Sequence, residues 1–180
     1  IHWPGKDAYV DTWKAFVKLQ QDGRIRSIGL SNFYPQHMED CIKATGVKPV
    51  SDQIETHPYL HQEEVIEYCR ANDILVEAWS PLMSGGEALK DPVIVGIAEK
   101  HGKTPAQVIL RWHTQNGFRV IPKSKTPARI QENFDIFSFE LAQEEIDAMN
   151  ALTSKNVRIG DDPRTYRFKL LAELEAEGKA

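Results

Sequence analysis

Four short runs rich in β-branched or aromatic residues, each followed by a longer stretch of helical period, constrain this chain more than any other feature. They are RSIGL at Arg26–Leu30, PVSDQIE at Pro49–Glu55, ILVEAW at Ile74–Trp79 and FRVIP at Phe118–Pro122. Such alternation predicts βα units around a parallel sheet. Ile1 and His2 read as the last residues of a further strand, which makes five. The helical stretches carry their own punctuation. Tyr9, Trp13, Phe16 and Val17 share a face, as do Met38, Cys41 and Ile42, and Gly23 and Gly46 stand where the two helices should stop. Pro35 suits a first helical turn. Thr104, Pro105 and Gln107 have the spacing of a capping box, and Thr126 with Pro127 repeats the Thr-Pro start just after the last strand.

Composition excludes several classes. With 41% hydrophobic and 27% charged residues among 180, the chain is neither a disordered nor a membrane-spanning type. Its longest apolar runs fall far short of a bilayer crossing. A net charge of −4 argues against general nucleic-acid binding but permits a local basic pocket. Cys41 and Cys69 are the only cysteines and read as free thiols of a reducing, cytoplasmic compartment.

The strands end in residues chosen for something other than packing. His2 and Trp3 follow the first, Ser31, Asn32 and Phe33 the second, and Gln53 and Glu55 lie late in the third. Trp79, Ser80 and Pro81 end the fourth, and Lys123, Ser124 and Lys125 the fifth. In parallel α/β architectures the carboxyl ends of all strands face one side, where ligands bind.

Lys123, Ser124 and Lys125 lead into a helix whose free N–H groups and dipole favour an anion, with Arg129 and Asn133 four residues apart on one face. This pattern suits a phosphate site, and equally a solvated cationic face behind an ordinary cap. Ser31 and Asn32 suit either a helix cap or, with Gln53, an amide-bearing ligand. Trp79 suits either core or a platform for a flat ring. A strand-end His such as His2 can exchange a proton near neutral pH, although a lone His is more often structural. His57 and His61 have metal-ligand spacing, but Pro58 interrupts the helix this would need and no further ligand completes a set, so no metal is expected. Rossmann, Walker and nucleophile-elbow signatures are absent from the sequence.

Taken in order, IHWP, GLSNF, DQIETHPY, EAWSPL and IPKSKTPARIQENFDIFSFEL resemble the strand-end motifs of the aldo-keto reductases, with RIGDDPRTY similar to the tail of bacterial diketogluconate-reductase-like members. The resemblance runs from Ile1 to about Tyr166. It implies a (β/α)8 TIM barrel, with this chain covering the end of the fourth strand through the eighth strand and tail. Residues 1–166 would form that part of the barrel, and residues 167–180 a charged extension.

The implied activity is NADPH-dependent reduction of aldehydes and ketones. Ser31, Asn32 and Gln53 would hold the nicotinamide carboxamide, and Trp79 would stack on the ring. Ser80 and Leu82 would line the pyrophosphate path. Lys123, Ser124 and Arg129 would grip the adenosine 2′-phosphate, with Asn133 and Glu132 on the adenine side. His2 would orient the substrate carbonyl and Trp3 would wall its pocket. Asp52 stands where the family commonly has Asn, which puts a negative charge near the cofactor floor. The segment Met83–Leu89, with Gly85 and Gly86, is the expected mobile cover over the cofactor.

The family's catalytic Tyr, Lys and Asp would lie on strands before His2, so this chain is expected to be a truncated portion that binds cofactor without reducing carbonyls. The parent is expected to be a monomer acting on a small carbonyl compound, with no nucleic-acid or membrane partner. Two other readings remain open at this point: a non-catalytic nucleotide-binding barrel subunit, and a phosphate-sugar isomerase or aldolase barrel.

Overall fold

The computed structural model describes residues 1–5 and 8–166. The extension at 167–180 lies outside them. Among the described residues the order is α1 (Tyr9–Gln21), β1 (Leu30–Ser31), α2 (Pro35–Thr45), β2 (Ser51–Glu55), α3 (Glu63–Ala71), β3 (Leu75–Trp79), α4 (Pro92–His101), α5 (Pro105–Gln115), β4 (Arg119–Val120), α6 (Pro127–Phe134) and α7 (Gln143–Asn150). Short 3-10 turns occupy Met83–Gly85, Glu87–Lys90 and Ala151–Lys155. The strands form one parallel sheet in the order β1-β2-β3-β4, with Ser31 opposite Gln53, Glu55 opposite Trp79 and Glu77 opposite Arg119.

The described sheet has four strands rather than the expected five. The Ile1 nitrogen donates to the Gly29 carbonyl at 3.0 Å, so the chain does start alongside β1. The His2 carbonyl is then taken by the Asn32 side chain at 3.0 Å instead of by a ladder partner, and pairing stops there.

Strand alternation gives the sheet two unlike faces. Leu30, Asp52, Ile54, Val76 and Ala78 point toward the helices and are buried. Leu30, Ile54 and Val76 pack there with Trp13 and Val17 of α1, Met38 and Cys41 of α2, and Val65, Ile66 and Cys69 of α3. Full burial of each large side chain is worth about 1.5–3 kcal/mol. A second cluster joins Ile94, Ile97, Val108, Ile109, Trp112, Ile146 and Met149, tying α4, α5 and α7 together. The opposite face carries a polar row, in which Gln53 Nε2 donates to Glu77 Oε1 and Arg119 Nη1 donates to Glu77 Oε2 at 3.2 Å.

The helix stops at Gly23 and Gly46 form as the sequence implies, with φ of 71° and 72°. Cys41 and Cys69 are free and buried, and burial pushes both thiols up to about 12. Neither is a nucleophile at neutral pH. No helix among the described residues is long and apolar enough to cross a membrane.

Candidate active site

The parallel ladder sets Ser31, Gln53, Glu55 and Trp79 together at the carboxyl ends of three adjacent strands. Asn32 follows β1 with φ of 64°, a left-handed conformation that Asn tolerates better than most residues. That turn lets one side chain reach three partners. Asn32 Nδ2 donates to the His2 carbonyl and to Ser31 Oγ at 3.0 and 3.1 Å, and Asn32 Oδ1 accepts the Trp79 indole N–H at 2.7 Å. Ser31 Oγ donates to the Gln53 carbonyl at 2.9 Å. Tyr34, not Ser31 or Asn32, is the N-cap of α2, and its N–H donates to His37 Nδ1 at 3.2 Å. The cap alternative for Ser31 and Asn32 therefore does not hold, because both side chains are spent on the neighbouring chain segments.

Trp79 is half-buried, held by its N–H with its ring at the strand end. The exposed His2 and half-buried Trp3 lie beside this network, their rings 6.2 Å apart, and Trp3 stacks on Tyr166 at 4.3 Å. Ser80 has φ of 48°, which turns the chain sharply after β3 toward Leu82. Met83 and Ser84 continue with φ of 49° and 55° before Gly85, so the expected cover segment is wound into tight turns, with Met83 and Ala88 buried.

The basic loop lies beyond β4. Lys123, Lys125 and Arg129 are exposed and make no ion pair among the described residues, although most charged groups elsewhere do. Ser124 Oγ accepts the Thr126 N–H at 3.2 Å, and the Thr126 side chain makes no cap, so among the described residues the first N–H groups of α6 have no side-chain acceptor. Asn133 is half-buried on the same helix. Glu132 accepts from Thr104 Oγ1 at 2.7 Å, which commits one of its oxygens to α5.

Asp52 requires a correction. It is fully buried on the helix-facing side of β2, opposite to Gln53, and Phe33 N–H approaches its Oδ1 at 3.4 Å. It therefore lies away from the face that carries Gln53 and Trp79, not on it as expected, because consecutive strand residues point to opposite faces.

Glu55 is the site residue that local patterns did not single out for a role. Its buried carboxylate accepts the Ile159 N–H at 2.7 Å through Oε1 and the Gly160 N–H at 2.9 Å through Oε2, with His57 Nε2 3.1 Å from Oε1. Burial alone would raise its pKa, but the bonds from His57, Ile159 and Gly160 together hold it below the usual carboxylate range. His57 is thus a partner of Glu55, while His61 pairs with Glu63 at 2.8 Å. No cluster of ligands able to hold a metal occurs among the described residues.

A parallel α/β sheet with polar and aromatic groups converging at its carboxyl edge, followed by a cationic loop after β4, is the arrangement of an α/β protein of the barrel-related kind, in which ligands bind at the carboxyl ends of the strands. The particular class follows from comparison. Residues 1–154 match the model of the aldo/keto reductase family, and the chain belongs to that family. It is 53% identical over 168 residues to glyoxal reductase of Bacillus subtilis (strain 168), and this match covers 93% of the chain and 60% of the relative. Methylglyoxal reductase DkgA of Escherichia coli (strain K12) is 45% identical over 169 residues, covering 92% of the chain and 61% of that protein. A crystal structure of a Gox0644 mutant in complex with NADPH superposes with a TM-score of 0.89 at 48% identity, over 93% of this chain and 62% of that one. The chain thus spans about 60% of the length of the relatives it matches. The fold is shared with solved aldo-keto reductases, including MGS-M4 from a Medee basin deep-sea metagenome library at a TM-score of 0.88 and 34% identity.

Proposed function

We propose that the protein is an NADPH-dependent reductase of small aldehydes and ketones, and that this chain supplies the late strands of its (β/α)8 barrel and most of its cofactor site. The observation that carries the reading is the set of cations at the start of α6 that make no ion pair among the described residues. Lys123, Lys125 and Arg129 lie within seven residues of a net acidic chain, beside helix N–H groups that lack a side-chain cap. Such a site suits a dianionic phosphate monoester. The NADPH complex of Gox0644 supports the cofactor assignment.

The donor set fits the cofactor's other end as well. Gln53 spends Nε2 on Glu77, and its Oε1 is left without a partner among the described residues, so it can accept from a carboxamide N–H. Ser31 and Asn32 fix the strand-end backbone around it, and Trp79 offers a ring face. Ser80 and Leu82 would line the path between the nicotinamide and phosphate ends, with Ser124 beside the phosphate and Asn133 and Glu132 near the adenine.

When bound, NADPH supplies a hydride to a carbonyl carbon. His2 would donate to the carbonyl oxygen and orient it, and Trp3, backed by Tyr166, would wall the substrate pocket and keep water away. The proton donor would be a Tyr activated by a Lys–Asp pair on barrel strands outside these 180 residues.

A cofactor titration tests the carrying observation. Arg129→Ala is expected to weaken NADPH binding by about tenfold or more, equivalent to roughly 1.4 kcal/mol, with little change for NADH. Equal affinity of variant and parent for NADPH would overturn the 2′-phosphate assignment.

A further inference from the structure

The chain after α7 returns across the strand ends and is fastened along its length. His61 N–H donates to Thr153 Oγ1 at 3.0 Å, Val157 N–H to the Tyr59 carbonyl at 3.0 Å, and Arg158 Nη2 to Gln62 Oε1 at 3.0 Å. The last fastening is the Glu55 carboxylate, whose two oxygens receive the consecutive backbone N–H groups of Ile159 and Gly160. A buried carboxylate is tolerated only when its lone pairs are used. Here the strap itself supplies two of the donors and His57 a third.

Gly160 is pressed against Trp79. A Cβ at this position would lie 2.5 Å from Trp79 Cη2 and 3.1 Å from Cζ2, and 3.1 Å from Glu55 Oε2. No real side chain fits there without displacing the indole, so the residue's lack of a Cβ is what permits the contact. The indole is therefore gripped at two ends, by Asn32 on its N–H and by the Gly160 backbone on its six-membered ring.

We propose that Glu55 and Gly160 are positioning residues for Trp79: the carboxylate clamps the strap, and the strap's glycine backbone sets the attitude of the indole. The consequence for cofactor affinity rests on the reading of Trp79 as the nicotinamide platform, but the clamp itself can be measured without cofactor.

In cofactor-free purified protein, amide hydrogen exchange at Ile159 and Gly160 is expected to quicken by about tenfold or more in Glu55→Ala, while amides of the buried α5 core keep their protection. Unchanged exchange at both positions would overturn the clamp. Loss of α5 protection as well would mean that Glu55 supports the whole fold rather than the strap, which also overturns it.

The second arm uses NADPH titration of Gly160→Ala in two backgrounds. About tenfold weaker binding is expected with Trp79 present, and less than about twofold with Trp79→Leu, because the indole atom that the added methyl meets at 2.5 Å is then gone and only the milder 3.1 Å approach to Glu55 Oε2 remains. Equal losses in both backgrounds would show a merely structural cost and overturn the positioning role. If Trp79→Leu alone leaves NADPH affinity unchanged, the platform reading fails, while the exchange result still decides the clamp.

Discussion

Asp52 shows how far one ionisable group is governed by which way a strand residue points. It is fully buried and its Oδ2 has no hydrogen-bond partner among the described residues. Burial pushes its pKa up to about 8, and the Phe33 N–H offsets only part of this. Because the folded pKa lies above the unfolded value near 3.9, the folded state holds the proton more tightly. Asp52's own contribution to stability is therefore fullest below about pH 4 and declines as pH rises toward 8. Asp52→Asn removes that titration and keeps an oxygen for Phe33. It is expected to stabilise the protein on the order of several kcal/mol at pH 8 and hardly at all at pH 4, as urea unfolding at the two values would read. An equal gain at both would mean that packing, not the proton, is responsible. In sequence Asp52 reads as a charge at the cofactor floor only if its face is left out of account. Its neighbour Gln53 already claims the mouth, and alternation then sends Asp52 to the core.

At the scale of elements, two helices with the same Thr-Pro start behave differently. Thr104 closes a capping box, with its Oγ1 accepting the Gln107 N–H at 3.3 Å and its own N–H donating to Gln107 Oε1 at 3.0 Å. Thr126 cannot do this, because the residue three positions on is Arg129, which has donors and no acceptor. The difference is legible in the sequence, and it leaves α6 open to an anion while α5 is sealed. Thr104→Ala is expected to cost about 1 kcal/mol or somewhat more, since the hydroxyl also serves Glu132, whereas Thr126→Ala should cost less than about 0.5 kcal/mol. Equilibrium denaturation separates the two, and similar costs would contradict the difference in capping. Strand bounds are less legible than caps. Arg26–Leu30 and Phe118–Pro122 carry β-type residues, yet the ladder holds only Leu30–Ser31 and Arg119–Val120. A strand's length depends on how far its neighbour runs alongside, which local composition does not encode.

Across the whole molecule, the contacts with least sequence signal are those made by the returning tail, because Ile159 meets Glu55 across a separation of 104 residues. The strand-end cluster of Ser31, Asn32, Gln53 and Trp79 could be read from order and spacing, but no pattern near Glu55 announces what its carboxylate will bind. Asp91 is a second junction of this kind, with its side chain 2% exposed. Its Oδ1 caps α4 by accepting the Val93 N–H at 2.9 Å, and its Oδ2 accepts the Tyr59 hydroxyl at 2.8 Å and Lys155 Nζ at 2.6 Å. Burial would raise the carboxyl's pKa, but the bonds from Lys155, Tyr59 and Val93 outweigh it and keep Asp91 ionised. One side chain thus joins the loop after β2, the start of α4 and the beginning of the tail. Asp91→Ala removes a cap and leaves the buried Tyr59 hydroxyl short of its acceptor, so a loss of about 3 kcal/mol is expected. For a chain of this size that lowers the thermal midpoint by roughly 6–12 °C. Lys155→Met should cost clearly less, because Asp91 keeps two of its three donors and the lysine is partly solvated. A calorimetric comparison decides between them. Equal losses would assign the junction's strength to the Lys155 ion pair, and an unchanged midpoint in Asp91→Ala would show that the three segments hold together without it.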